Sequence, residues 1–191
     1  MKSSTLPSCS TPLSSGVRYG ITAPEFHWDD YANIDVEGKV ILSLVNEPPS
    51  DDPAFFGGKV LTYYGRWTYK FEEAARRGAI GALIIHRTDL ASYGWDVVRN
   101  SFTAEKTLLT HNENPGLEAA SWIQLDVAKQ IFASSGTDFD TEFAAAGKPG
   151  FKSRELLIKL DATIVSTVRS FQSPNVIGIL PGTHRQDPIK Q

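Results

Sequence analysis

Two apolar runs separated by an amphipathic stretch form the clearest pattern in the chain. The runs Lys39–Val45 and Ala79–Ile85 are apolar on both faces, as expected for buried strands. A helix is predicted between them from about Thr68, because apolar residues recur there at helical spacing, acidic residues come early, basic residues come late, and Gly78 suits a left-handed stop. A strand, a helix and a strand in this order predict a parallel pair with a right-handed connection.

Weaker patterns predict the other elements and place the chain in the α/β (α+β) class. The predicted elements are, in chain order, a short strand at 17–21, a long surface loop at 46–65, loop or hairpin structure after Thr88, a short strand at 122–125, helices at 126–134 and 138–146, and one long or bent strand at 156–169 paired with 175–180. Residues 1–15 are rich in Ser, Thr and Pro and are predicted to form a flexible tail.

The composition is that of a globular protein, and it narrows the classes of function. The chain has 191 residues, near the size of one domain, with 41% hydrophobic and 21% charged residues. Its formal net charge of -3 leaves no basic excess to neutralise phosphates, so nucleic acid is not an expected partner. No run approaches the ~18 apolar residues needed to cross a bilayer, so membrane insertion is not expected either.

The residue types that usually carry catalysis are few and scattered. His27, His86, His111 and His184 include no pair one helical turn apart, as a histidine-based zinc site normally requires. The single cysteine, Cys9, lies in the predicted tail, and no Gly-x-Ser-x-Gly elbow occurs. The residues alone therefore predict neither a metal centre nor a nucleophile.

One catalytic alternative remains open at the end of the second apolar run. His86 and Asp89 follow a predicted buried strand, where a loop presents polar groups, and an autonomous hydrolase would need them to share a pocket with a carboxylate from the Asp51 loop. The pairs Asp29–Asp30 and Asp51–Asp52 are otherwise expected to be solvated loop charges, because adjacent side chains seldom converge on one substrate bond. Calcium binding by these loops is a further alternative, although neither loop has the alternating acidic spacing of a dedicated site.

Several segments resemble the protease-associated (PA) domain. Val36–Val45 and then Phe71–Ile85 match its plan, in which a strand leads to a helix ending in Ala-x-x-x-Gly-Ala and then to an apolar strand. Further segments resemble the version found in secreted bacterial di-zinc aminopeptidases, of the family that includes glutamate carboxypeptidase and the transferrin receptor. They are Tyr19–Pro24, Trp28–Tyr31, Asn46–Phe56, Tyr63–Lys70 and Tyr93–Trp95.

The segment Ser173–Thr183 resembles the junction at which such enzymes pass from the PA domain into the peptidase domain. The next strand of the family carries zinc ligands in a His-x-Asp pattern, whereas His184 is followed by Arg185 and Gln186. The resemblance therefore implies a PA domain at 16–183 and a truncated linker at 184–191. It implies no catalytic or metal residue in this chain, with zinc as the cofactor of the parent peptidase domain only.

The resemblance also implies a fold, a role and partners. The expected fold is a curved or partly closed β core with a parallel strand-helix-strand unit and flanking helices, and the expected location is secreted or periplasmic. The expected role is non-catalytic, gating substrate access or mediating contacts, with the parent peptidase domain and a peptide or protein substrate as partners. A free-standing interaction module is the alternative.

Large aromatic residues around the Gly- and Pro-rich loops supply the candidate contact surface. Half or more of these rings should belong to the core, and the rest would form a docking surface. The long loop lacks the usual Arg-Gly-x-Cys pattern of PA domains, and Gly65–Trp67 stands near the helix start instead. The candidate contact residues are Phe55, Phe56, Tyr63, Tyr64, Arg66, Trp67, His86, Tyr93 and Trp95.

Overall fold

A five-stranded sheet lies at the centre of the protein. The computed structural model describes residues 2–5, 11–103, 105, 107, 116–148, 150–161, 163 and 165–180. The strands are β1 Lys2–Thr5, β2 Thr11–Arg18, β3 Thr22–Ala23, β4 Trp28–Asp29, β5 Val40–Leu44, β6 Gly81–His86, β7 Ala119–Gln124, β8 Glu155–Leu160 and β9 Val165–Val168. The α-helices are α1 Trp67–Arg76, α2 Thr88–Ala91, α3 Trp95–Thr103, α4 Leu125–Ser134 and α5 Phe139–Ala146.

The sheet has the strand order β7-β6-β5-β2-β8 and is mostly parallel. Strand β5 runs parallel to both β2 and β6, and β7 runs parallel to β6, whereas β8 is antiparallel to β2. Two small antiparallel pairs, β1 with β9 and β3 with β4, accompany it. The predicted parallel pair β5 and β6, joined through α1, is confirmed, and the protein is a mixed α/β structure.

Both faces of the sheet are covered, which explains why β5 and β6 are apolar throughout. Along β5, Leu42 faces a core shared with Phe132 of α4 and Phe139 of α5. Its neighbour Ile41 points the other way, toward Ala74 of α1. This alternation is the ordinary consequence of extended backbone, in which successive side chains point to opposite faces.

Three of the predicted helices are confirmed with bounds close to those expected. Helix α1 is followed by Gly78, whose φ of +77° is the left-handed conformation that glycine adopts easily. Helix α4 begins one residue before Asp126. Helix α5 is capped by Asp138, whose carboxylate accepts a hydrogen bond from the backbone N–H of Thr141 at 2.8 Å.

The loop or hairpin predicted after Thr88 is wrong, because the chain forms α2 and α3 there. Asp89 and Asp96 lie in the first turns of these helices, where a negative charge is favourable. Ser92 ends α2 in the left-handed conformation with φ of 67°, and Val98 of α3 is buried in the core. Gly94 therefore lies in the short break between these two helices.

The predicted strand arrangement at the carboxyl-terminal end is also wrong. The stretch 156–169 forms two separate strands, and β8 pairs with β2 through Thr11 opposite Leu160 rather than with residues 175–180. Residues 175–180 are exposed and form no strand. The first strand of the sheet likewise begins at Thr11, earlier than the predicted 17–21, because β5 and β8 offer it partners on both sides.

Several sequence predictions fall outside the described residues. These are Cys9, His111, residues 112–115, Pro181–Thr183 of the junction segment, and residues 184–191 with His184. Within the described residues, no helix is both long enough and apolar enough to cross a membrane.

Candidate functional site

The structure divides the candidate aromatic residues among three regions. Phe55, Phe56 and Tyr64 pack with Phe26 and Trp28 in edge-to-face and tilted contacts whose ring centroids lie 4.4 to 6.4 Å apart. Phe56 is completely buried there, while the other two candidate rings are half-buried. This region anchors the long loop 46–65 to the core.

The second aromatic region surrounds His86 at the end of β6. Its ring lies 5.7 Å from those of Tyr93 and Trp95 and 6.2 Å from that of Trp122. His86 is 4% exposed, and its Nε2–H donates to the backbone carbonyl of Tyr93 at 3.0 Å. The histidine is thus part of a packed aromatic cluster, and its ring does not face solvent.

His86 and Asp89 are not brought together. The carboxylate of Asp89 is bound by the guanidinium of Arg87 at 2.7 Å, and this hydrogen bond lowers the pKa of Asp89 below its ordinary value. Within the described part of the chain, no carboxylate bonds to the imidazole of His86. The arrangement is an ion pair next to a buried histidine. It lacks the hydrogen bond between a histidine base and an orienting carboxylate that a catalytic pair has.

A groove of about 460 Å³ lies beyond the carboxyl ends of β5 and β6. Its walls come from segment 46–51, residues 58–59 with Leu61, and residues 89–90. This is the edge at which open parallel sheets usually bind their ligands, since the loops that follow the strands converge there. Asp51 and Asp89 both line the groove, whereas His86 does not.

Apolar and aromatic side chains are exposed in the segment around Leu61, which lines the groove. Segment 60–67 carries Val60 at 75%, Leu61 at 56%, Tyr63 at 51% and Trp67 at 42% exposure. Arg66 is exposed as well, and its guanidinium lies 5.9 Å from the centre of the Tyr63 ring. We call these five residues the apolar rim. Three of them, Tyr63, Arg66 and Trp67, are among the sequence candidates.

A buried lysine holds the two ends of the long loop together. The ammonium group of Lys70, completely buried in α1, donates to the backbone carbonyls of Asn46 and Tyr64, the latter at 2.9 Å. Burial lowers the pKa of Lys70 to about 7, an effect that the nearby carboxylates of Asp30 and Glu47 partly offset.

Glu47 makes a second connection between the loop ends. It is 5% exposed and accepts hydrogen bonds from the backbone N–H of Thr62 at 2.8 Å and from the hydroxyl of the same residue. The side-chain amide of Asn46 also donates to the carbonyl of Leu90, which fixes the groove wall against α2. The loop, which carries three of the five residues of the apolar rim, is therefore braced at both ends by buried polar contacts.

The expectation that Asp30 is a solvated loop charge is wrong. It is 3% exposed, and its carboxylate binds the guanidinium of Arg18 at 2.6 Å and the backbone N–H of Ile21 at 3.0 Å. Burial raises the pKa of Asp30, while Arg18 acts in the opposite direction. Arg18, the last residue of β2, is itself buried and supplies the counter-charge that an ionised Asp30 needs in the interior. Asp51 and Asp52 are exposed, as predicted.

No sequence pattern singled out Arg18, Glu47 or Lys70, and none predicted the burial of Asp30. The position of Lys70, next to Phe71 of the apolar helix face, was a hint that it is buried. It was a weak one, because the ammonium group of a lysine in an amphipathic helix usually reaches solvent. Among the described residues, no group of three or more His, Cys, Asp or Glu side chains is placed to hold a metal ion.

Comparison of the chain with protein-family models, with curated proteins and with solved structures finds no significant match.

Proposed function

We propose that this chain is a non-catalytic protease-associated domain that gates substrate access, or mediates peptide or protein contacts, for a zinc aminopeptidase. In this proposal the curved or partly closed β core of that domain class is built on the mixed α/β sheet. The contact surface is the groove with its apolar rim. The zinc belongs to the parent peptidase domain, and the protein acts outside the cell or in the periplasm.

The observation that carries the proposal is the exposure of the apolar rim beside the groove. Large side chains such as Leu61 and Trp67 are normally withdrawn from water, and adjoining exposed ones mark contact surfaces. Tyr, Trp and Arg, all present in the rim, are the residue types that contribute most to binding. An extended peptide lying in the groove would contact this rim at Leu61.

The bracing of the loop supports a role in binding. Because Lys70 and Glu47 fix both ends of the loop, little conformational entropy would be lost when a peptide binds. The packed surroundings of His86 and the Arg87–Asp89 pair give no comparable support to a hydrolase.

The contact role is tested with the double variant Val60→Ser/Leu61→Ser and a labelled pool of random octapeptides with free termini. We expect the variant to bind the peptide pool at least about tenfold more weakly than the wild type does. A loss of 1.4 kcal/mol corresponds to tenfold, and one buried aliphatic side chain contributes at least that much. Fluorescence polarisation measures the change.

The matched control is Leu157→Ser, which removes a 91%-exposed leucine from β8, away from the groove. Its affinity should equal that of the wild type. Equal affinity in all three proteins, or no binding by any of them, would contradict the contact role.

The remaining parts of the proposal are tested separately. Hydrolysis of aminoacyl-nitroanilides by the purified chain, abolished by a chelator, would refute the non-catalytic assignment. The free-standing module, which uses the same surface, is distinguished by the coding sequence after Gln191. An in-frame His-x-Asp strand supports a parent peptidase, and a stop codon supports the free-standing module.

A further inference from the structure

Three buried polar atoms belong to side chains that line one small cavity between β2, β5 and the loop after β4. They are Nε of Arg18, the phenol oxygen of Tyr31 and the hydroxyl oxygen of Ser43, and none has a hydrogen-bond partner within the described part of the chain. All three side chains are more than nine-tenths buried. A buried polar group without a partner costs about 1 to 3 kcal/mol, so three at one site point to a missing common partner.

The cavity has the size of a single water molecule. Its volume is about 20 Å³, and a water requires roughly 10 to 15 Å³ measured in this way. Gly20 opens the space, because a Cβ there would lie 3.3 Å from the Tyr31 oxygen and 3.7 Å from the Ser43 oxygen. Both hydroxyls are therefore close to one point that no side chain fills.

The charge around the cavity favours a neutral occupant. The guanidinium of Arg18 is already neutralised by Asp30 at 2.6 Å, so neither an anion nor a cation would find a free opposite charge. Burial raises the pKa of Tyr31 well above its ordinary value, and the phenol keeps its proton. Each hydroxyl can donate or accept, and Nε–H of Arg18 can only donate.

We infer that the cavity binds one water molecule, which accepts a hydrogen bond from Nε–H of Arg18 and is hydrogen-bonded to the hydroxyls of Tyr31 and Ser43. Three partners match the usual coordination of a buried water. The water joins the end of β2, where Arg18 is opposite Ser43 of β5, to the loop that carries Asp30. It is thus a structural ligand that holds the buried Arg18–Asp30 pair in position.

The inference is tested by the sign of two stability changes in the full chain. If the water is bound, Tyr31→Phe and Ser43→Ala each remove one of its hydrogen bonds, so the urea midpoint falls in both. The decrease of the midpoint in the double variant is smaller than the sum of the two single decreases, because the two side chains share one partner. If no water is bound, each variant deletes a buried, unsatisfied hydroxyl, and the midpoint stays constant or rises.

The controls remove the same atoms from exposed side chains. Tyr63→Phe and Ser121→Ala, on exposed residues, should shift the midpoint less than their buried counterparts. A crystal structure of the wild-type chain that resolves ordered water gives the direct answer. Density for one water within ~3.2 Å of the three atoms supports the inference. An empty cavity, or direct hydrogen bonds between the three side chains, overturns it.

Discussion

At the scale of single residues, the main feature is a set of buried charged side chains that are bound by polar partners. Arg18 and Asp30 form a close pair, and Glu47 binds the hydroxyl and N–H of Thr62. Lys70 is different, because its ammonium group is bonded to carbonyls and has no carboxylate partner within hydrogen-bond distance in the described structure. Each of these side chains is withdrawn from water, so each makes stability sensitive to charge.

Lys70 makes the stability depend on pH. Its pKa is about 7 in the folded protein and near 10.5 when unfolded, so between these values the unfolded chain binds more protons. The free energy of unfolding contributed by Lys70 therefore rises with pH over this window, by at most about 1.4 kcal/mol per pH unit. Urea unfolding of the wild type and of Lys70→Met is measured at pH 7 and 9.5. Between these pH values the free energy of unfolding should rise more in the wild type than in the variant. Parallel pH profiles, like those expected for wild type and the exposed-lysine control Lys59→Met, would refute this.

The Arg18–Asp30 pair predicts a large cost for removing one charge. Asp30→Asn leaves the guanidinium buried without its counter-charge, and we expect the free energy of unfolding to fall by about 3 kcal/mol or more. Asp96→Asn, which breaks the exposed pair with Arg99, should cost less than about 1 kcal/mol. Urea denaturation of both variants checks the contrast, and similar small losses would mean that the buried pair is dispensable.

At the scale of elements, the sequence predicts what local pattern determines. Strands β5 and β6 and helix α1 were predictable because their apolar spacing matches their geometry over several residues. The pairing of β8 with β2 was not, because it joins residues far apart in the chain. Asp29 and Asp30 cannot be distinguished from the sequence, and only the fold, which places Asp30 beside Arg18 and the N–H of Ile21, decides which one enters the core. The exposed Tyr63 and Trp67 were predictable as an aromatic cluster, but their separation from buried Phe56 was not.

The long loop gives a prediction for one element. Phe56 is completely buried among aromatic rings, so Phe56→Ala should destabilise the protein by about 3 to 5 kcal/mol and speed amide exchange across 46–65. Val60→Ala, at a 75%-exposed position of the same loop, should leave both unchanged. Hydrogen exchange followed by mass spectrometry measures the effect, and unchanged exchange in Phe56→Ala would show that the loop is anchored elsewhere.

At the scale of the whole molecule, the two faces of the sheet are covered, whereas one edge is exposed and held in place by buried contacts. The helices cover both faces of the sheet, and the groove with its apolar rim is left open at the carboxyl ends of β5 and β6. The exposed apolar residues of segment 176–180 are a competing surface, with Val176 and Leu180 each at least 95% exposed. A partner would bind at one of these two places.

The most direct test is to map where peptides bind. Amide chemical shifts of the ¹⁵N-labelled chain are recorded while the random octapeptide pool is added. We expect perturbations to concentrate in 46–51, 58–67 and 89–90, to be lost in Val60→Ser/Leu61→Ser and to be kept in Leu157→Ser. Perturbations confined to 176–180, or none at saturating peptide, would contradict the claim that the groove and its apolar rim form the contact surface.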